Sequence, residues 1–324
     1  MFSSIRRSLA WRLNIFLVRF AIWLLKLSGW YVGYWNHWRT LHNYVERQGL
    51  HILPVHYYSP IPNSRELPTE IWSRHRFPTG FSLNIDSSLS LLEELSEKFR
   101  SEFRKLPHDD TISHGRYNFN NNAYTYGDAE VLYSIIRQTK PRRIVEIGSG
   151  FSTLLTAEAI RFNLTSSSTA TCELVAIEPY PPSYLSPPPA ELTRIESTPV
   201  QNIPIDFFSS LEANDILFID SSHVVRIGGD VIYEYLEILP ALKAGVLIHI
   251  HDIFLPFDYP RDWIESDCFF WNEQYLLEAF LTENAKFEVM MPTYALWALH
   301  ADRFQNAIGV VPKKPPSSFW MRRL

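Results

Sequence analysis

Two short runs carry most of the side chains that could do chemistry: Asp220-Ser221-Ser222-His223 and His249-Ile250-His251-Asp252. An imidazole changes charge near neutrality, so it can take or give a proton. Carboxylates beside it can orient the ring or, with it, hold a hard cation. Both runs close short apolar stretches, Ile216–Ile219 and Val246–Ile250, which read as strands of a buried sheet. Side chains alternate along a strand, so His249 and His251 share a face while Asp252 points elsewhere or opens the loop. His251 then falls at the C-terminal edge, and His249, one residue pair deeper, reads as a packed histidine.

A third group lies upstream. A strand over 143–147 delivers the chain into Gly148-Ser149-Gly150-Phe151-Ser152-Thr153 and then a helix. Two glycines allow a tight turn and a close ligand approach beside the free N–H groups of a helix start. No Gly-Lys-Ser/Thr follows, which excludes a Walker loop. Thr153 stands where a dinucleotide fingerprint has its third glycine, so that fit is poor. Glu178 ends the next strand, about thirty residues after Gly148, where a carboxylate can accept both hydroxyls of a ribose. Glu146 precedes the glycines, placed to orient the loop or to meet a cationic amino group.

The run Val145–Thr153 resembles motif I of the class I S-adenosylmethionine-dependent methyltransferases. More narrowly, it resembles the branch that reads EIGSG-x-ST, then FIDGSH, then HDI. The latter two stand here as Phe218–His223, with Ser221 in place of glycine, and as His251-Asp252-Ile253. The likeness spans roughly 118–311, including Asp258-Tyr259-Pro260 and Trp271-Asn272-Glu273-Gln274-Tyr275. It implies a doubly wound, mostly parallel α/β sheet of Rossmann-like type and S-adenosylmethionine as cofactor. The implied cofactor set is Glu146, Gly148, Ser149, Gly150, Ser152, Glu178, Asp220 and Ser221, with Glu146 and the glycine loop at the methionine part.

Methyl transfer needs an aligned acceptor and removal of its proton. Two mechanisms fit. His251 or His223 acts as base for a hydroxyl, oriented by Asp220 or Asp252. Alternatively, Asp220, His251 and Asp252 hold Mg²⁺, which lowers the hydroxyl's pKa. These positions resemble the metal-binding carboxylates of catechol-type O-methyltransferases, except that His251 replaces an aspartate. The acceptor class stays open among small molecules, glycans and lipid headgroups. Two other functions compete: a nicotinamide-dependent oxidoreductase on a similar fold, and a non-catalytic cofactor-binding scaffold at a membrane.

The supporting elements follow from periodicity. Helices are expected over 87–106, 127–139, 152–162, 229–239 and 272–280, and a weak third strand over 194–196. Residues 287–291 and 307–311 read as an antiparallel pair at the sheet edge. The segment 163–171 reads as a loop, and proline-rich 181–189 as surface without chemistry. The aromatic stretch 254–275 suits the wall or lid of an acceptor pocket, with about half its rings expected in the core. Tyr126 and Asp128 open a helix that could close over the cofactor.

Outside this domain, taken as 118–324, lie an irregular and helical arm over 41–117 and a basic amphipathic helix over 1–40. Before Glu46 there is no acidic residue, and Arg12, Arg19 and Lys26 recur every seven positions in one stripe. Trp30, Tyr31, Tyr34, Trp35 and Trp38 follow, as at a headgroup layer. Arg19 and Lys26 interrupt the apolar run of about twenty residues that a span needs. Residues 1–38 are therefore expected to lie on a membrane surface, with protein docking and a true span as the alternatives. The expected location is cytoplasmic, peripheral on the inner face where the helix meets lipid, with self-association open. A net charge of −5 and no basic cluster at the motifs argue against a nucleic-acid partner. Cys172 and Cys268 make neither a disulfide framework nor a metal cluster.

Overall fold

A computed structural model describes residues 2–27, 42–53, 55–108, 115–166 and 171–324, with side chains of the first helix from residue 14 onward. The chain forms two compact units, Met1–Leu67 and Pro68–Leu324. In the first, helix α1 (Phe2–Leu27) is the main element. Its apolar side chains face outward, Phe16, Trp23 and Leu27 each being more than half exposed. Phe20 stacks between Phe16 and Trp23, with ring centroids at 6.5 and 5.8 Å. Among the described residues, no helix is long and apolar enough to cross a membrane. The Arg12 side chain and the aromatic set Trp30–Trp38 lie outside the described residues.

The second unit is built on seven strands: β1 (Arg143–Ile147), β2 (Glu173–Ile177), β3 (Leu192–Glu196), β4 (Ile216–Ile219), β5 (Leu247–Ile250), β6 (Phe287–Pro292) and β7 (Phe319–Arg323). Their order across the sheet is β3-β2-β1-β4-β5-β7-β6. The first five run parallel, and β7 is antiparallel to both β5 and β6. Alternate residues feed two cores, which is why the central strands are apolar on both faces. Ile144, Leu174, Ile216 and Leu247 join one core, with helices Ile85–Phe103, Asp128–Thr139 and Phe151–Ser166. Val145, Leu217, Ile219 and Ile248 join the other, with Tyr235, Leu239 and Leu277. This is the doubly wound sheet expected from the motifs.

Local chemistry sets the element ends. The Gly127 N–H donates to the Glu130 carboxylate at 2.6 Å, opening the helix Asp128–Thr139. Lys140 then takes φ 47 and Pro141 ends the run. Between β4 and β5, an α turn (Asp230–Tyr233) passes into a π turn (Glu234–Ile238), which turns Glu234, Tyr235 and Ile238 inward. A π turn of this kind is frequent beside functional sites.

Two expectations are corrected. The helix after β1 runs to Ser166, beyond the expected stop at Phe162. The larger correction concerns the sheet edge: β6 pairs with Phe319–Arg323, while Ala301–Ile308 is a helix. Phe304, Ala307 and Ile308 are buried at helical spacing, and Gly309 closes the helix at φ 78. The apolar run at 307–311 is therefore one helical face and its exit.

Candidate active site

The C-terminal ends of β1, β4 and β5 open onto a cavity of about 730 Å³. Ser149, Gly150, Phe151 and Ser152 line one part of it, and Asp220, His223, His251 and Asp252 another. Phe254, Trp263 and Trp271 add an apolar wall. A groove of about 560 Å³ beside the helix Ile85–Phe103, lined by residues such as Glu93, Arg100 and Arg303, shows no such convergence.

On the glycine side, Gly148 sits at φ 102 and donates its N–H to the Ile177 carbonyl at 2.9 Å. A Cβ at this position would lie 2.4 Å from the Asp220 carbonyl oxygen, so glycine lets β1 and β4 end side by side. The Gly150 N–H donates to Thr153 Oγ1 at 2.9 Å. Glu146 is buried and accepts the Ser152 hydroxyl. Its other oxygen, Oε2, and the Ser149 hydroxyl are buried without a partner among the described residues. Burial above all, with Asp220 and Glu178 nearby, pushes the Glu146 carboxyl up to about 8, although Ser152 and Thr153 oppose the shift. A cationic amino group would relieve that charge penalty and use the orphaned oxygen, so these residues fit the methionine end of S-adenosylmethionine. Glu178 stands at the end of β2, where its carboxylate accepts the Tyr180 N–H at 2.8 Å.

On the histidine side, both rings are buried among carboxylates. His251 Nδ1 lies 3.6 Å from an Asp220 oxygen and 3.6 Å from an Asp252 oxygen, and Nε2 lies 3.7 Å from Asp128. His223 Nε2 is 3.2 Å from Asp220 and 3.7 Å from Asp252. Burial alone would depress His251, but Asp252, Asp220 and Asp128 hold it well above the usual histidine value. His223 is raised likewise against burial, by Asp220, Glu273 and Asp252. For Asp220, burial opposes the charge; His251 and His223 overcome it and hold the carboxylate well below its usual range. His249 is a packed histidine, as read from the alternation. Its Nε2 lies 2.8 Å from Ser318 Oγ and its ring stacks on Phe218 at 3.8 Å.

Asp252 reaches the cluster because its backbone is left-handed, φ 56, and the Ser317 hydroxyl donates to its Oδ1 at 2.8 Å. Asp220, His223 and Asp252 each bring one ligand atom within 4.8 Å of the others. The sequence trio had His251 in the place of His223. A second group of this kind, His42, Glu46 and His51, lies in the N-terminal unit, mostly exposed. Ser221 lines the cavity, but its hydroxyl donates to Glu234 at 3.0 Å.

Four contributors were not singled out in the sequence for these roles. Tyr184, from the proline-rich stretch, lines the cavity and stacks on Phe151 at 4.9 Å. Asp128 accepts the Ser317 and Ser318 N–H groups and the Thr293 hydroxyl, tying a helix start to the approach of β7. Ser317 touches Asp252, and Glu273 touches His223. No motif marks Ser317 or Tyr184; Glu273 fell inside a motif but carried no assigned role. The aromatic stretch is less buried than expected: of its eight rings only Phe254 and Tyr259 are buried, and Phe254 also lines the cavity, while Phe269 and Tyr275 are exposed. Trp263 and Trp271 line the cavity, whereas Tyr275 is tied to Asp258 at 2.8 Å and Tyr259 accepts the Gln274 N–H at 3.1 Å.

A family profile described as a methyltransferase domain matches residues 145–253. An uncharacterized protein of Archaeoglobus fulgidus is 32% identical over 173 residues, 50% of this chain and 75% of that protein. Residues 145–253 thus form a methyltransferase domain, on a doubly wound, mostly parallel sheet of the class I type. Among solved structures, the CmcI-N160 apo-structure matches at 14% identity and TM-score 0.37, over 86% of this chain and 93% of that one. An O-methyltransferase from Bacillus cereus in complex with SAH matches at 16% identity and TM-score 0.35, over 72% and 90%. These structural likenesses are loose, and the methyltransferase-domain assignment rests on the family profile.

Proposed function

We propose that the chain methylates a hydroxyl oxygen on a small molecule, glycan or lipid headgroup, with His251 taking the acceptor's proton when its ring is neutral, a form that the surrounding aspartates shift to higher pH. The observation that carries this reading is the placement of two imidazoles and two aspartates in the cavity that the glycine loop also lines. S-adenosylmethionine supplies the methyl group on a sulfonium. Glu146, Gly148, Ser149, Gly150 and Ser152 would hold its amino acid part, Glu178 its ribose, and Asp220 and Ser221 the border with the acceptor. Trp263 and Trp271 offer apolar faces against which an acceptor ring can be held while its hydroxyl meets His251. Asp220 and Asp252 orient the imidazole and stabilise the charge it gains. A second reading has its own support in the close grouping of Asp220, His223 and Asp252. A divalent cation such as Mg²⁺ held there, or by Asp220, His251 and Asp252, would supply polarisation of the acceptor hydroxyl.

A labelled-cofactor screen against hydroxyl-bearing glycans, lipids and phenols tests the acceptor class. Product formed only on nitrogen acceptors would overturn it. With an acceptor in hand, His251→Asn should lower the transfer rate about 10²–10⁴-fold while cofactor affinity barely moves. Full activity in that variant removes His251 from the chemistry. Activity abolished by a chelator and restored by Mg²⁺ selects the cation reading.

The outward-facing α1 supports a second proposal: it lies on an anionic membrane surface, on the cytoplasmic face. Aromatic and aliphatic side chains face outward alongside the cations Arg19 and Lys26. Apolar side chains can enter the headgroup boundary while cations meet phosphates.

A further inference from the structure

We propose that Glu273 is a positioning residue for methyl transfer, fixing His223 with its ring proton on Nδ1 so that Nε2 faces Asp220 and Asp252. The inference rests on the reading of this cavity as the transfer site. Glu273 is the first residue of the helix Glu273–Leu281 and is wholly buried. A carboxylate without solvent must be paired, and this one is: Oε2 lies 2.8 Å from His223 Nδ1, and Oε1 accepts the Tyr235 hydroxyl at 3.0 Å. A carboxylate only accepts, so the ring nitrogen facing it carries the hydrogen. Asp220 and Asp252 face Nε2 at 3.2 and 3.7 Å, but a neutral ring has one hydrogen. The shorter contact to the unsolvated Glu273, against a partly exposed Asp220, places it on Nδ1 and leaves the Nε2 lone pair at the cavity. That lone pair is what an acceptor proton or a cation would meet, and a carboxylate behind a working histidine raises its basicity and fixes its tautomer.

The backbone grips the same residue from the same side. His223 is left-handed, φ 59, and its carbonyl accepts the N–H groups of Asn272 and Glu273 at 3.1 and 3.2 Å. The Asn272 side chain accepts the Val225 N–H at 2.6 Å, and Trp271 lies against the imidazole with centroids 4.3 Å apart. The segment Trp271–Glu273 thus holds both the ring and the turn that presents it. Tyr235 reaches Glu273 from the π turn, so the arrangement draws on the helices after β4 and after β5.

The test is nitrogen NMR of the histidine rings in the full-length protein, at a pH where His223 is neutral, with Glu273→Gln and Glu273→Leu beside wild type. Wild type should show the Nδ1–H tautomer at His223. Glu273→Gln, which retains an accepting oxygen, should keep most of it, and Glu273→Leu should move the population to Nε2–H. Calorimetry with S-adenosylhomocysteine should give the same affinity within about twofold in all three. With an acceptor, kcat of Glu273→Leu should fall about 10–100-fold, KM should change little, and Glu273→Gln should recover much of the loss. An Nε2–H tautomer in wild type overturns the proposal even if the leucine variant does not fold, as does a wild-type tautomer in a folded leucine variant. Failure of wild type to bind S-adenosylhomocysteine would instead strike the functional reading, leaving the tautomer result to stand alone.

Discussion

Replacing Gly148 with alanine should damage stability and catalysis together, through one contact. An ideal Cβ there lies 2.4 Å from the Asp220 carbonyl oxygen and 3.3 Å from its carbonyl carbon. An ordinary carbon–oxygen approach is about 3.3 Å, so the ends of β1 and β4 must part by roughly 0.9 Å. The Asp220 N–H to Ile147 carbonyl bond, 2.9 Å, holds them together and resists the movement. Overpacking of this kind costs about 1–3 kcal/mol. The backbone at φ 102 adds about 1–3 kcal/mol for a residue with a Cβ. The sum, about 2–6 kcal/mol, is a large part of the 5–15 kcal/mol typical of a domain. Asp220 would move with its carbonyl, and a misplacement near 1 Å can cost about 10²-fold in rate. Urea unfolding followed by circular dichroism reads the first effect, and turnover with a found acceptor the second. Gly150→Ala is the control for the stability effect alone: its Cβ would meet only the Tyr184 hydroxyl, at 3.2 Å, the movable end of a side chain. Gly148→Ala unfolding within 0.5 kcal/mol of wild type, on the same scale as an ordinary surface change, would refute the reasoning.

Glu178→Ala should weaken S-adenosylhomocysteine binding by about 1–3 kcal/mol, as for lost charge-assisted hydrogen bonds; unchanged affinity in calorimetry takes Glu178 out of the site. The Glu146 carboxyl, raised by burial to about 8, sets a pH window for the free protein. A carboxyl raised on folding adds stability that is fully present below its unfolded value, near 4.5, and lost as pH rises through about 8. Thermal melts of the free protein should fall across that window, and Glu146→Gln should flatten the fall; identical slopes would dismiss Glu146 as the cause. Bound S-adenosylhomocysteine, with its cationic amino group, should also flatten it. Finally, Arg19→Glu with Lys26→Glu in the full chain should end co-sedimentation with anionic vesicles. Failure of wild type to co-sediment would make α1 a protein-docking helix instead.

The strands and the glycine loop were legible because both follow from short-range rules. Apolar runs of about five residues flanked by turns mark doubly buried strands, and a glycine pair before a helix marks a ligand turn. The outer sheet was not legible for the opposite reason. The β7 strand, Phe319–Arg323, ends in two arginines and has no alternation, while Ile308, Val310 and Val311 imitate a strand. Only burial on a helical face separates them. Asp252 depended on one dihedral angle, which no sequence pattern prints. Glu273 opens a helix, where an acidic residue ordinarily serves the N-terminal N–H groups; its burial against His223 is a long-range fact. Tyr184 was hidden by its prolines, which mark an irregular path without saying what that path covers.

The place of β7 between β5 and β6 bears on how the chain is made. Translation releases β5 and β6 well before β7, and neither pairs with the other. Until residues 319–323 leave the ribosome, the nascent sheet has an open edge at Leu247–Ile250 and an unattached strand at Phe287–Pro292. Open edges recruit other chains. The same interval leaves Ser317 and Ser318 unplaced, so Asp128 and Asp252 have not yet met their donors. The cavity is therefore finished last, by the segment that also seals the sheet, and a ribosome stalled before residue 319 would display an adhesive, chemically unfinished domain.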